Sequence, residues 1–206
     1  MKHYKIAVIP GDGIGVDVIE ATLPILEQAR NRSGRLASVT KSNAQKHSMV
    51  FWDEVTEAVS AEYPDVAVTR YHIDAIAARF VMQPESLDVV VASNLFGDIL
   101  TDIGAAIQGG LGYAASANLN PDGQVPSMFE PVHGSAPDIA GRGIANPIAA
   151  VWSGALMLQH LGEAAAATAI LEAIAATTAS LAQTNSNAAP TTKVISERIS
   201  ASLRPS

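Results

Sequence analysis

The sequence predicts an α/β protein in which helices are layered on a largely parallel β-sheet. Segments with the apolar pattern of strands alternate with segments of helical pattern along the 206 residues. Hydrophobic residues make up 48% of the chain and charged residues 16%, which is enough apolar surface for a sizeable core. The clearest strand, Leu87–Ala92, is a continuous apolar run of the kind that is buried on both faces of a parallel sheet.

The other elements follow from local pattern. Tyr4–Pro10 is predicted as a buried strand, and Gly11–Gly15 turns the chain into a helix over about Val16–Arg30. A further helix is predicted to start near Asp98. The remaining predicted elements are strands Leu36–Thr40 and Val66–Tyr71 and helices Met49–Tyr63, Ile73–Met82, Pro147–Leu161 and Glu163–Gln183.

Composition excludes several classes of function. The net charge of −7 argues against nucleic acid as a partner, although a local cation or a metal can still hold an anionic substrate. The chain has no cysteine, which excludes disulfides and thiolate chemistry. The apolar start Ile6–Pro10 is too short for a signal peptide, and Glu, Gln and Thr interrupt the alanine-rich C-terminal helices. We therefore expect a cytoplasmic protein without a membrane partner.

The loop Phe129–Pro147 is the most informative segment, because it is rich in glycine, proline and small residues and precedes an apolar helix. Open chain of this kind lets backbone N–H groups approach a ligand closely. Asp138 within it can accept hydrogen bonds from a ribose diol. The alternative is a long surface loop that needs its glycines only to turn.

Four charged residues are candidates for chemistry, and each has a plain structural alternative. Asp98 and Asp102 are four positions apart at the start of a predicted helix, so that both carboxylates share one face. They suit an oxygen-ligand metal site, or else they compensate the helix dipole and cap the helix. Asp74 precedes an alanine-rich apolar run and is alternatively a helix N-cap. Lys41 follows a strand end, a usual place for catalytic residues, and is alternatively a solvated surface lysine.

These segments resemble the isocitrate/isopropylmalate dehydrogenase family, whose members oxidise and decarboxylate 2-hydroxy acids with NAD(P). Within this family, the sequence segments Lys41–Met49 and Phe51–Glu54 resemble the tartrate and D-malate dehydrogenase branch more than the isopropylmalate dehydrogenases. The resemblance implies an isopropylmalate dehydrogenase-like layered fold, with residues 1–206 forming one shortened dehydrogenase domain. It also implies a 2-hydroxy diacid as substrate, NAD and Mg²⁺ or Mn²⁺ as cofactors, and a homodimer if the interface survives. The segments that carry the likeness are Val39–Asn43, Tyr71–Phe80, Asn94–Asp102 and Phe129–Pro147.

The resemblance further implies roles for individual residues. Lys41 would handle the proton of the substrate hydroxyl, and Asp74 would join it at the reaction centre, both acting across a dimer interface. Asp74, Asp98 and Asp102 would hold the metal. Asp138 favours NAD over NADP because its carboxylate repels a 2′-phosphate. The residues implied to meet the adenosine half of NAD are His133, Gly134, Ser135, Ala136, Asp138, Ile139 and Asn146.

The likeness is interrupted near residues 28–35, where a segment of a domain's length is absent. In complete members that segment supplies substrate-binding arginines, a tyrosine that acts as an acid, and the arm that clasps the partner. The second domain, which binds substrate and clasps the partner, is therefore predicted to be mostly absent, and activity to be impaired. Two alternatives remain: an inactive remnant that binds NAD or metal, and a partner subunit of a full-length homologue that pairs through helices Ile73–Phe80 and Asp98–Ile107.

Overall fold

A computed structural model of the chain describes residues 5–9, 34–120, 124–183 and 189–203. The chain divides after Ile107 into two compact units. The prediction of one shortened domain stays a prediction, since most of its junction near residues 28–35 lies outside the described residues. The predicted turn Gly11–Gly15, the helix Val16–Arg30 and residues 185–188 lie outside them as well.

The first unit is built on a four-stranded parallel sheet, in which the strands lie side by side in the order Lys5–Ile9, Val89–Ser93, Arg35–Thr40 and Ala67–His72. This sheet confirms the α/β class that the alternating pattern predicts. A short 3-10 turn, Pro84–Ser86, precedes the fourth strand. The elements are β1 (Lys5–Ile9), β2 (Arg35–Thr40), α1 (Ser48–Ser60), β3 (Ala67–His72), α2 (Ile73–Met82), β4 (Val89–Ser93) and α3 (Asn94–Ile107).

The core of the first unit is formed by this sheet and its helices. β4 contributes Val89–Ala92, whose exposed fractions are all 3% or less, as a continuous apolar run predicts. α2 buries Ile76 and Phe80, which are four positions apart on one helical face. Trp52 of α1 is also buried, and its indole N–H donates to Ser38 Oγ at 3.1 Å, so that this polar group is not left unpaired.

The second unit pairs a small antiparallel hairpin with three helices. The hairpin joins β5 (Ala115–Asn118) to β6 (Met128–Pro131). It was not among the predicted strands, because Ala115–Asn118 is small and polar and lacks the apolar alternation of a strand. The unit is held by a cluster of buried side chains from all three helices. The helices are α4 (Ile148–His160), α5 (Ala164–Ala182) and α6 (Thr192–Ser202), and the cluster is Ile148, Ala173, Ile174, Ile195 and Ile199.

Most observed boundaries lie within a few residues of the predicted ones, and α2 matches at both ends. The predicted start of α3 near Asp98 is wrong, because the helix begins at Asn94. Ser93 explains the earlier start, since its Oγ accepts a hydrogen bond from the backbone N–H of Phe96 at 3.4 Å. A serine that accepts from the third residue of a helix acts as an N-cap.

By length and composition, α5 is the one helix in the described part of the chain that is apolar enough to cross a membrane. This is weak evidence, because helices of soluble proteins pass the same test. Much of the apolar character of α5 comes from alanine, and Glu172 lies near its middle.

Candidate active site

The ends of β2 and β3 bring two of the predicted site residues together. The strands are parallel, with Val39 opposite Tyr71 and Thr40 opposite His72, so the chain leaves both at the same edge of the sheet. Lys41 follows β2 directly, and Asp74 is the second residue of α2, which follows β3. The Lys41 ammonium donates a short hydrogen bond to Asp74 Oδ1 and forms an ion pair with it.

The electrostatics of this pair follow from its surroundings. The hydrogen bond from Lys41 lowers the pKa of Asp74 below its ordinary value. A backbone hydrogen bond is the next largest effect and also lowers the pKa, whereas desolvation raises it. The nearby charges of Lys41 and His72 lower the pKa by smaller amounts. The Asp74 side chain is 68% exposed and that of Lys41 is 26% exposed, so the pair contributes little to stability.

The alternative reading of Asp74 as a helix N-cap is wrong. The N-cap of α2 is His72, whose backbone is extended and whose side chain makes no capping hydrogen bond. Asp74 lies instead within the first turn, where a negative charge interacts favourably with the helix dipole. Its carboxylate accepts from the Lys41 ammonium and from a backbone N–H of its own first turn, but Asp74 does not occupy the N-cap position.

Asp98 and Asp102 lie on the exposed face of α3. Because α3 begins at Asn94, its first turn contains no acidic residue, and the interpretation of both aspartates as dipole compensation and capping is wrong. Both side chains are exposed, and the opposite face of the helix is packed into the core through Phe96 and Leu100. The two carboxylates therefore share one solvent-facing helical surface, as their spacing predicts.

The described residues of one chain do not assemble a complete metal site. Among residues 34–120, 124–183 and 189–203, no three His, Cys, Asp or Glu side chains form a group that could hold a metal ion. A site that uses Asp74 together with Asp98 and Asp102 would therefore need carboxylates from two chains.

A cleft of about 430 Å³ opens at the same edge of the sheet. Asp53 of α1 is 7% exposed and lines it. Asp53 Oδ2 lies 3.4 Å from Arg70 Nη1, whereas Asp53 Oδ1 has no hydrogen-bond partner. The sequence analysis assigns Asp53 no individual role, because it is one of three acids of an amphipathic helix, with Glu54 and Glu57. The residues that line the cleft are Thr40, Ser42, Asp53, Arg70, Tyr71, His72 and Ala75.

The loop Phe129–Pro147 belongs to the second unit and connects β6 to α4. Its middle is a series of turns in which Ile139 N–H donates to Ala136 O at 3.0 Å and Arg142 N–H donates to Ile139 O at 3.1 Å. Ala136 has a φ of +39°, a left-handed conformation that is uncommon outside glycine. Asp138 is exposed in these turns, and Gly134 and Ser135 are exposed just before them.

The end of the loop is held against the start of α4. Asn146 Oδ1 accepts a hydrogen bond from the backbone N–H of Ile148 at 3.0 Å. Gly112 packs directly against this asparagine, since a Cβ at position 112 would lie 2.7 Å from Asn146 Cβ. At the other end of the loop, His133 Nδ1 lies 3.0 Å from Gly134 O.

A second anchor of the loop comes from α6 and was not predicted. Thr191 is the N-cap of α6, and its side chain accepts from Val194 N–H at 3.3 Å. Thr192 then reaches the loop with both of its donors: its backbone N–H donates to Gly143 O at 2.9 Å and its Oγ1 donates to Ala145 O at 2.5 Å. Local pattern cannot show these bonds, because the Oγ1 bond joins residues that are 47 positions apart.

Comparison with known proteins places the chain in a family. Residues 26–199 match the isocitrate/isopropylmalate dehydrogenase family, and the chain belongs to that family. The structure resembles the crystal structure of isocitrate dehydrogenase from Methylococcus capsulatus, with a TM-score of 0.85 and 36% identity. That match covers 92% of this chain and 56% of the other. The isopropylmalate dehydrogenase-like fold predicted from the motifs is thereby confirmed.

Two curated relatives identify the branch. The probable tartrate dehydrogenase/decarboxylase of Bacillus subtilis (strain 168) is 50% identical over 179 residues, which is 86% of this chain and 51% of the relative. The D-malate dehydrogenase (decarboxylating) of Escherichia coli (strain K12) is 58% identical over 148 residues, which is 72% of this chain and 41% of the relative. The predicted likeness to this branch is confirmed. The chain spans about half the length of the curated relatives it matches.

Proposed function

We propose that this chain carries the catalytic core of an NAD-dependent and Mg²⁺- or Mn²⁺-dependent dehydrogenase that oxidises and decarboxylates a 2-hydroxy diacid of the tartrate or D-malate type. The observation that carries the proposal is the ion pair of Lys41 and Asp74 at the carboxyl edge of β2 and β3. Ligands of open α/β sheets bind at this edge. The names of the curated relatives support the choice of reaction.

The loop between β6 and α4 is proposed to hold the adenosine half of NAD, which accepts a hydride from the substrate when bound. Its turns expose backbone groups near Gly134, and Asp138 is free to accept from both hydroxyls of a ribose. Asn146 is held in one orientation by its bond to Ile148 N–H and can contact the adenine edge. The proposed contact residues are His133, Gly134, Ser135, Ala136, Asp138, Ile139 and Asn146.

Asp98 and Asp102 are proposed as metal ligands, completed by Asp74 of a second copy in a homodimer. The donor set fits a hard divalent cation, since both aspartates are exposed on one face and neither forms an ion pair in the described chain. The metal would supply Lewis acidity at the substrate hydroxyl and at the carbonyl oxygen that replaces it.

Lys41 is proposed to take the proton of the substrate hydroxyl. The alcohol carbon loses its hydrogen as a hydride, and its hydroxyl proton passes to Lys41 Nζ, so that a carbonyl forms. The carboxylate on the carbon next to the carbonyl carbon then leaves as CO₂. The electron pair of the broken C–C bond passes towards the carbonyl oxygen to give an enolate, which takes up a proton at the carbon that lost CO₂.

Formation of NADH, followed by absorbance, tests the proposal. The purified chain is supplied with Mn²⁺, NAD and, separately, D-malate, tartrate, isocitrate and isopropylmalate. We expect turnover with D-malate or tartrate, and a loss of about 10²–10⁴-fold in Lys41→Ala, because a general base contributes on that order. Lys46→Ala is the matched control, since Lys46 is an exposed lysine of the same segment. Equal activity in the two variants would contradict the role of Lys41.

A second candidate function is a cofactor-binding remnant without turnover. It is favoured by the coverage of the relatives, since the chain spans only 41% of the D-malate dehydrogenase it matches. This candidate predicts that NAD raises the melting temperature of the chain while no substrate yields NADH. Co-purification with a full-length homologue would favour instead the role of a partner subunit.

A further inference from the structure

Thr40, the last residue of β2, is a buried polar residue that directly precedes Lys41 and has no part in the proposed reaction. It is 1% exposed. Its Oγ1 accepts a hydrogen bond from Ser42 N–H at 3.2 Å and donates to Met49 O, in the first turn of α1, at 3.5 Å. One hydroxyl therefore connects the backbone on the far side of Lys41 to a neighbouring helix, with both its donor and its acceptor function in use.

The peptide group between Lys41 and Ser42 is held at both of its polar ends. Its carbonyl oxygen, Lys41 O, accepts from Ala44 N–H at 2.9 Å and from Gln45 N–H at 2.8 Å. Its N–H is the group that donates to Thr40 Oγ1. Because a peptide group is planar, bonds at both ends fix the orientation of the whole plane. Of these three bonds, the one to Thr40 is the one that a side chain makes.

The sheet fixes the backbone on the other side of Lys41. Thr40 lies opposite His72 in the parallel register of β2 and β3, and Asp74 follows His72 by two residues. The long and flexible stem of Lys41 extends from this frame to an ammonium that pairs with Asp74. Ordering such a stem costs conformational entropy, so the pair depends on a backbone that already directs Lys41 towards Asp74.

We propose that Thr40 is a positioning residue whose hydroxyl fixes the backbone at Lys41, so that the Lys41 ammonium reaches Asp74. Thr40 acts through the peptide group between Lys41 and Ser42 and not on a substrate. Without the hydroxyl, Ser42 N–H loses its acceptor and the peptide plane can rotate, so the ammonium is less often in contact with Asp74. The positioning is a property of the chain alone, whereas its importance for turnover rests on the proposed function.

Cross-linking with a water-soluble carbodiimide tests the positioning on the full chain, without substrate, NAD or metal. The reagent joins a carboxylate to an amine in contact with it as an amide. The yield of the Lys41–Asp74 amide, measured by peptide mass spectrometry, therefore reports how often the two groups meet. The ion pair of Lys193 and Glu197 within α6, at 3.8 Å, is the internal reference.

Thr40→Val replaces the hydroxyl with a methyl group of similar size. We expect the Lys41–Asp74 yield, relative to the reference, to fall about fivefold, the factor that corresponds to a hydrogen bond of about 1 kcal/mol. Tryptophan fluorescence of the same samples should be that of the folded chain. A lower yield accompanied by unfolding would overturn the inference, because the hydroxyl would then hold the fold and not the lysine.

Two further variants separate the hydroxyl of Thr40 from general effects of the substitution. Thr40→Ser keeps the hydroxyl and should keep the yield within about twofold. Thr56→Val is the matched control, because Thr56 is also a buried threonine of the first unit, at 6% exposed, but donates to Trp52 O within α1. The control should keep the full yield. Equal yields in Thr40→Val and Thr56→Val, or a low yield in Thr40→Ser, would overturn the inference.

The kinetics of NADH formation separate this inference from the proposed function. We expect Thr40→Val to lower kcat about fivefold at constant KM, because the hydroxyl orients the proposed base and does not bind substrate. Thr56→Val should change neither constant. An unchanged kcat in Thr40→Val would overturn the role of Thr40 in turnover and leave the proposed function standing. A yield that falls only in Thr40→Val, in a chain that never forms NADH, would overturn the proposed function and leave the positioning standing.

Discussion

Replacing Gly112 with alanine tests how the end of the loop Phe129–Pro147 is held. The added Cβ would lie 2.7 Å from Asn146 Cβ and 3.3 Å from Asn146 Cγ. Carbon atoms in contact prefer about 3.5–4.0 Å, so Asn146 or the 3-10 turn Leu111–Tyr113 must move by about 1 Å. Overpacking of this kind costs about 1–3 kcal/mol. Loss of the bond from Ile148 N–H to Asn146 Oδ1 would add about 1 kcal/mol.

Thermal unfolding followed by circular dichroism measures the effect. We expect the melting temperature of Gly112→Ala to fall by roughly 4–16 °C, because a total cost of about 2–4 kcal/mol corresponds to about 2–4 °C per kcal/mol for a chain of this size. Gly154→Ala is the control, because Gly154 lies within α4 with no atom within 4 Å of its added Cβ. Alanine favours a helix over glycine by about 1 kcal/mol, so the control should melt at or above the unaltered chain. Gly112→Ala melting as high as that control would refute the reasoning.

The remaining predictions concern the core, the cofactor and the ion pair. Trp52→Phe leaves the buried Ser38 hydroxyl without its donor, and a urea titration should show a loss of about 1–3 kcal/mol; an unchanged midpoint would contradict this role. Asp138→Ser removes the repulsion of a 2′-phosphate, so the ratio of NADP to NAD affinity should rise, and an unchanged ratio in thermal-shift titrations would argue against the contact. Because the pKa of Asp74 is lowered by Lys41, their pair adds a small stabilisation above about pH 3.8, the ordinary value for an aspartate, and this stabilisation is lost as pH falls through the lower folded-state pKa. The melting curves of the unaltered chain and Asp74→Asn should therefore converge in acid, and a constant difference down to about pH 2 would contradict the pairing.

The parts of the fold that local pattern determines were predictable. The apolar run of β4 and the helical spacing of Ile76 and Phe80 in α2 are each sufficient to define an element. The start of α3 was misjudged because Asn94 and Gly97 look like a turn, while the hydroxyl of Ser93 caps the helix and brings both residues into it. Capping geometry of this kind depends on one hydrogen bond, which composition does not reveal.

The sequence predicts which residues are candidates for the site, but it does not predict which of their side chains come into contact. Lys41 and Asp74 are 33 positions apart, and only the parallel register of β2 and β3 brings them together. The sequence placed both residues at one site only through the family likeness. The strand register gives the physical reason why their side chains are close in space. Asp53 lies in the segment Phe51–Glu54 that carries the family likeness, but no local pattern shows that its carboxylate is buried, with one oxygen unpartnered, after the chain has folded.

Thr192 of α6 donates two hydrogen bonds to the loop, at Gly143 and Ala145. Local opening of α6 and local opening of the loop are therefore coupled. Any molecule that immobilises the loop must then lower the frequency with which the last helix opens, and fraying of that helix must weaken retention of the molecule. The effect would be visible as slower amide hydrogen exchange in α6, a helix that need not touch the ligand. The C-terminal helix therefore reports on occupancy of the loop.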